Sequence, residues 1–189
     1  MPEIHLVRVG KVEPDVVDFL SMALPDIFGM ESRVSPHTLD PSQAFNQVRQ
    51  QYNSMDVLLG LSRLQSRAGD KVLGLTSVDL FIPILTFVFG QAQLNNRLAV
   101  MSTHRLQQRF YGLPDDDDLF LRRCEKEAVH ELGHTFGLVH CTVFDCVMHF
   151  SNSVDEVDVK SSAFCPDCET RRLGYRETRR LSEPRAQRG

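Results

Sequence analysis

Residues 130–141 read HELGHTFGLVHC. His130 and His134 are four residues apart, so on a helix one turn brings both imidazoles to the same face, about 40° apart around the axis. Two nitrogen donors held this way are half of a zinc site. Glu131 stands about 100° from His130 around the same axis. It is displaced from the ligand positions but can reach a water held by the ion. Gly137 falls where the helix should end, and glycine takes the left-handed conformation that turns a chain back under its helix. His140, three residues further on, can then arrive as a third ligand. Three neutral imidazoles leave the ion its full charge and one open position. A water there has its pKa lowered toward ~7, Glu131 can take its proton, and the hydroxide can attack a carbonyl polarised by the same ion. The expected chemistry is metal-assisted hydrolysis of an acyl bond. A bare H-E-x-x-H occurs on many helices without metal. The full H-E-x-x-H-x-x-G-x-x-H is specific, because each added residue has its own geometric task. The competing readings are histidines satisfied at the surface or in the core, and a Glu131 that only orients a histidine.

Moving outward, the next chemistry is thiolate. The five cysteines are Cys124, Cys141, Cys146, Cys165 and Cys168, four of them in the last third of the chain. An odd count without a secretion signal argues against a disulfide framework. Cys141-x4-Cys146 and Cys165-x2-Cys168 form two tight pairs, and such pairs about twenty residues apart have the spacing of a structural zinc site. Each pair supplies two thiolates from one turn, and the intervening loop closes the tetrahedron. Cys124 falls instead on the apolar stripe Leu121, Cys124, Ala128, Leu132 of the helix that carries the histidines, where it reads as a small core residue. That helix is expected to begin after Pro114 and run to about Phe136. Asp115, Asp116, Asp117 and Asp118 in its first turn offset the positive end of its dipole. They lack the spaced oxygens and central glycine of a calcium loop.

The histidine motif resembles that of the metzincin metallopeptidases, with Met148 in the place of their methionine turn. The spacing Gly137-x3-Cys141-x4-Cys146-x-Met148, then sixteen residues, then Cys165-x2-Cys168, resembles the archaemetzincins, whose last interval is one residue longer. The likeness in motif covers residues 130–168. It implies that His130, His134 and His140 hold a catalytic zinc and that Glu131 is the general base. It also implies that Met148 forms the apolar floor beneath the histidines, and that Cys141, Cys146, Cys165 and Cys168 hold a second, structural zinc, two Zn2+ per chain. The fold implied is a compact metzincin-like α/β domain with a twisted mixed β-sheet, a long active-site helix and a four-cysteine zinc knuckle in the C-terminal part. Residues 86–92 become an antiparallel edge strand lining the cleft, to which a peptide could add by strand pairing. His140 and Cys141 are adjacent, so one loop would serve both ions. The structural zinc would then fix the loop that carries the third catalytic ligand.

The rest of the sequence agrees with an α/β fold. Ile4–Val9 alternates and reads as a strand. Pro14 opens a helical pattern on Val16, Val17, Phe19, Leu20, Met22 and Ala23. Residues 30–34 form a weaker strand, and Pro36, Asp40 and Pro41 mark a loop. Residues 55–68 read as a helix closed by Gly69 and Asp70. Residues 71–80, 86–92 and Leu98–Ser102 read as strands, with Asn95-Asn96 as a hairpin turn. The order β-α-β-α-β-β-β predicts a mixed sheet. Residues 1–189 thus read as one catalytic domain: 1–136 supplies the sheet and helices up to the active-site helix. Residues 137–189 form a C-terminal subdomain with the methionine turn, the four-cysteine zinc site and an Arg-rich tail.

Composition narrows the function. The chain has 189 residues, 42% apolar and 24% charged, which suits a globular domain with a real core. A net charge of -4 disfavours a broadly basic nucleic-acid binder. Residues 169–189 hold seven Arg and three Glu, about +4. They read as a solvated helix, with a nucleic-acid contact as the alternative. The apolar run near residues 80–89 is interrupted by Pro83 and too short for a membrane helix. The opening MPEIHLVRVG lacks the features of a signal peptide, so a cytoplasmic location is expected. The leading function is a zinc-dependent peptidase acting on peptide or protein substrates. The alternatives are a zinc hydrolase of a non-peptide amide and a catalytically weak zinc-stabilised binding module. Glu131 favours the enzyme. Tyr111 and Tyr175 are candidate oxyanion stabilisers, with placement by packing as the alternative. His149 reads as a rim residue, and His5, His37 and His104 carry no assigned role. Nothing in the pattern specifies an oligomeric state.

Overall fold

In the computed structural model of the protein, the backbone is described for residues 1–182 and the side chains through residue 175. The element order is β1 (Ile4–Val9), α1 (Pro14–Phe28), β2 (Ser32–Leu39), β3 (Phe45–Asn46), β4 (Gln51–Asn53), α2 (Ser54–Ser62), β5 (Lys71–Thr76), β6 (Leu80–Phe81), β7 (Gly90–Ala92), β8 (Leu98–Ser102), α3 (Asp117–Thr135), α4 (Val154–Val159) and α5 (Pro166–Ser182). The main sheet has the order β2-β1-β5-β8-β7. Its first four strands run parallel, and β7 pairs antiparallel with β8. Parallel strands need crossovers, and helices over both faces let the central strands be apolar throughout. All six residues of β5 are therefore buried.

The period-two alternation of the strands divides the core. Leu73, Leu75, Ala99 and Met101 face α1 and α3, together with Val16, Leu20, Leu24, Cys124, Ala128 and Leu132. Val72, Leu98 and Val100 face the other way, against Val57, Leu58 and Leu61 of α2. Cys124 is fully buried there, as the helical stripe predicts, and burial pushes its thiol pKa well up. The helix starts follow their local chemistry. Pro14 occupies the first turn of α1. The Asn53 side chain accepts from Met55 N to cap α2, and Asp116 accepts from Leu119 N to cap α3. The α3 helix, which carries the histidines, packs under β8 and β7.

Several boundaries differ from the sequence reading. The second strand lies two residues later than expected and runs through Pro36. Leu6 pairs with Val34 and Arg8 with Thr38, so the intervening residues form a bulge on an edge strand, where a missing N–H costs no ladder bond. The α2 helix ends at Ser62, short of residue 68. The Arg97 guanidinium donates to Ser62 O at 2.9 Å and to Leu64 O, taking carbonyls that a longer helix would have used. The expected strand 71–80 is two strands. β5 ends at Thr76, whose hydroxyl donates to Val9 O, and β6 joins a separate small sheet of order β3-β4-β6. Of residues 86–92 only Gly90–Ala92 is strand, because Val88 turns away to bridge Leu80. The hairpin turn falls as expected, with Asn95 at φ 57°. The end of the Arg-rich tail lies outside the described residues. No helix among the described residues is long and apolar enough to cross a membrane.

Candidate active site and metal centres

The last turns of α3 place His130 and His134 on one face, and the course of the chain beyond α3 decides where His140 goes. Gly137 adopts φ 82°, closed to most side chains but open to glycine, and the chain reverses there. The C-terminal carbonyls of α3 are satisfied by the rest of the molecule. Asn95 N and Gly137 N both donate to His134 O, and the Lys71 ammonium donates to Thr135 O at 2.7 Å. A cation at that end also suits the helix dipole. The reversal brings the His140 ring to 5.3 Å from His130 and 5.0 Å from His134, centroid to centroid.

The donor geometry tests whether these residues fit a metal. His130 Nδ1 lies 2.8 Å from Val147 O, and His134 Nδ1 lies 2.7 Å from Leu138 O. A carbonyl only accepts, so each ring proton sits on Nδ1 and each Nε2 carries a lone pair. Those two Nε2 atoms face each other at 3.2 Å. Two lone pairs that close repel unless a cation lies between them. Tetrahedral zinc at its usual Zn–N distance sets its nitrogen donors about 3.3 Å apart. The nitrogens of His130, His134 and His140 all lie within 4.8 Å of one another. Burial pushes the pKa of all three imidazoles down, most of all at His130, and the Lys160 charge adds to the effect. They are held neutral, the form that ligates.

Glu131 lies 5% exposed beside them. Burial, and then the Glu127 charge, push its carboxyl pKa well up. Its Oε2 has no hydrogen-bond partner among the described residues. The side chain passes directly against β7 at Gly90, where a Cβ would lie 2.5 Å from Glu131 Cγ. The histidines, Glu131 and β7 share one cavity of about 470 Å³, of the size that takes a peptide side chain or a small ligand. Its surroundings include the exposed apolar residues Leu85, Leu94, Val139 and Phe150.

The second cluster lies directly beyond His140. The sulfurs of Cys141, Cys146, Cys165 and Cys168 lie within 4.8 Å of one another. Cys141 Sγ and Cys165 Sγ are 3.8 Å apart, close to the spacing that four thiolates take around zinc, about 3.8 Å. Backbone N–H groups of Val143 and Cys165 point at Cys141 Sγ and Cys146 Sγ. The backbone N–H of Cys168 lowers the Cys165 thiol pKa, whereas burial raises Cys146 and Cys168.

The two clusters are stitched together. Cys141 N donates to Met148 O at 2.9 Å. His149 N donates to Cys146 O at 2.8 Å, and His149 Nδ1 contacts Cys141 O. His149 therefore closes the loop. Met148 is fully buried, and its sulfur fills the space where a Cβ on Gly133 would stand, 2.4 Å away. Neither candidate tyrosine lines the cavity. Tyr111 OH donates to Arg105 O, and Tyr175 lies against Phe136 and Lys71. Two charged cavity residues escaped the sequence reading, as did Ser151. Glu127 was legible in principle, one helical turn before Glu131 on the same face. Lys160 was not, because only the fold returns it to α3.

Comparison with known proteins agrees with this geometry. Residues 17–173 match the profile of Peptidase family M54. The archaemetzincin of Methanocaldococcus jannaschii is 41% identical over 160 residues, 85% of this chain and 87% of that protein. The crystal structure of the archaemetzincin from Methanopyrus kandleri is similar with a TM-score of 0.82 and 39% identity, over 93% of this chain and 96% of that one. The Archaeoglobus fulgidus archaemetzincin, crystallised in complex with malonate, has a TM-score of 0.78 and 38% identity over 89% of this chain and 99% of its own.

Proposed function

The chain belongs to Peptidase family M54 and is a zinc metallopeptidase; on that premise we propose that it cleaves extended polypeptides, with Glu131 as general base, His130, His134 and His140 holding the catalytic zinc, and Cys141, Cys146, Cys165 and Cys168 holding a second, structural zinc. The observation that carries this reading is the pair of opposed Nε2 lone pairs at 3.2 Å on the same cavity as the unpartnered Glu131 Oε2. Zinc, when bound, supplies a Lewis acid that acidifies water and polarises the scissile carbonyl. The chain's own residues do the rest. Val147 O and Leu138 O keep the His130 and His134 protons on Nδ1 and aim each Nε2 inward. Glu131 takes a proton from the attacking water and returns it to the leaving amine nitrogen, a role its unpartnered Oε2 on the cavity supports. Its raised pKa brings it nearer to that task at neutral pH. Among the described residues the edge strand β7 pairs only with β8, and its residues Gly90, Gln91 and Ala92 line the cavity, so a substrate strand can add there. Met148 supports the histidines from below through its contact at Gly133. The free cysteines suit a reducing compartment such as the cytoplasm.

Elemental analysis tests the reading. The isolated protein should carry two zinc ions per chain, and His134→Ala should carry one. Glu131→Ala should keep both ions and lose cleavage of a quenched peptide library. Cleavage that survives Glu131→Ala, or a zinc content unchanged by His134→Ala, would refute it.

A further inference from the structure

Part of the lining of the catalytic cavity is polar and chemically specific. The Lys160 ammonium, with a side chain 1% exposed, donates to Glu127 Oε1 at 2.9 Å and to His149 O at 3.4 Å. An ammonium has three hydrogens, so one remains for an occupant of the cavity. Glu127 Oε2 likewise remains as an acceptor. Ser151 Oγ is buried with no partner among the described residues. Glu127, Lys160 and Ser151 all line the cavity together with Phe87, Val88 and Phe150.

We propose that these polar residues form a side-chain pocket selective for a carboxamide, so that the enzyme favours glutamine beside the cleaved bond. This rests on the peptidase reading above and specifies its substrate. The argument is one of satisfaction. Glu127 and Lys160 together are electroneutral. A carboxylate occupant could accept from Lys160 but would set a like charge against the remaining Glu127 oxygen, and an ammonium would do the converse beside Lys160. An apolar occupant would seal off the Ser151 hydroxyl and the spare ammonium hydrogen with nothing to bond. A carboxamide carries both functions at one end. Its oxygen accepts from Lys160 and Ser151, and its NH2 donates to Glu127 Oε2. The methylene stem of glutamine then lies along Phe87, Val88 and Phe150.

The test uses peptides identical except for Gln, Glu, Leu or Ala on each side of the cleaved bond, with cut sites read by mass spectrometry. With Gln in the favoured position, kcat/KM should exceed that of the Leu and Glu peptides by about ten-fold or more. Ser151→Ala, a mild truncation, should reduce the Gln-to-Leu ratio roughly three-fold or more. Calorimetric binding of the same peptides to zinc-loaded Glu131→Gln protein reads the pocket without turnover. Cleavage with Leu or Glu as good as Gln would overturn the pocket and leave the peptidase reading standing. Gln-selective binding without cleavage by the native protein would do the reverse. A Gln preference untouched by Ser151→Ala, or binding with no amide preference, would also overturn the inference.

Discussion

At the scale of single residues, the site depends on two places where a side chain is missing. Gly90 on β7 leaves the space that the Glu131 side chain fills, and Gly133 on α3 leaves the space for the Met148 sulfur. Neither glycine is there for an unusual backbone angle. Gly90→Ala would put a Cβ 2.5 Å from Glu131 Cγ and 2.6 Å from Oε1, so the carboxylate must move. The expected outcome is a fall in turnover of roughly 10- to 100-fold, with zinc content unchanged and a stability cost of about 1–3 kcal/mol from overpacking. Steady-state kinetics, metal analysis and thermal melting on one preparation check it. Turnover within two-fold of native would show that Glu131 tolerates displacement.

At the scale of elements, the informative unit is the stretch after α3. The Cys141 and Cys146 loop is bonded to the Met148 segment, and that segment bonds the active site in turn. Val147 O orients His130, while Val147 N donates to Ala163 O, two residues before Cys165. A disturbance in the cysteine cluster thus has a short route to the histidines. Cys165→Ser, which touches no histidine, is expected to release one zinc, cost well over ~1 kcal/mol of stability and lower peptidase activity. Metal analysis, melting temperature and kinetics measured together decide the matter. Full activity with both ions retained would show the two clusters to be independent.

At the scale of the whole molecule, two carboxylates join segments far apart in sequence, Asp70 to residues near β1 and Asp79 to Gln51 and Arg105. Asp70 accepts from Glu3 N at 2.9 Å and Arg67 N at 2.7 Å, and meets His5 at 3.0 Å. Asp79 accepts two bonds from Arg105, each at 2.7 Å, and one from Gln51. Burial pushes both carboxyls up, but these hydrogen bonds and charges outweigh it and hold both pKa values below normal. A depressed folded pKa stabilises above the unfolded value of ~3.9, and that contribution is lost as pH falls through the folded value. Asp70→Asn and Asp79→Asn should therefore lower stability near neutral pH and flatten its decline below about pH 4. Denaturant titrations at several pH values would show this. An acid limb as steep as native would place the responsible groups elsewhere.

The strongly periodic parts of the chain were legible before any coordinates. β1, α1, β8 and α3 follow from apolar spacing, and Pro14 and Gly137 mark ends that local backbone chemistry dictates; α3 begins later than expected, at Asp117, so Asp116 caps it and Asp115 lies outside it. The spacing of His130, His134 and His140 and the two cysteine pairs announce metal chemistry, because ligand geometry is set by local turns. What local pattern could not supply was decided by contacts far apart in sequence. Arg97 ends α2 early, an edge position admits Pro36 into β2, and Val88 leaves β7 to pair with Leu80. The pocket beside the histidines arises the same way, from Lys160 reaching Glu127 across 33 residues and from a glycine on β7 that admits Glu131. A sequence states which groups are available at short range, whereas the burial that gives Glu131, Lys160 and Ser151 their chemistry exists only once distant segments have closed over them.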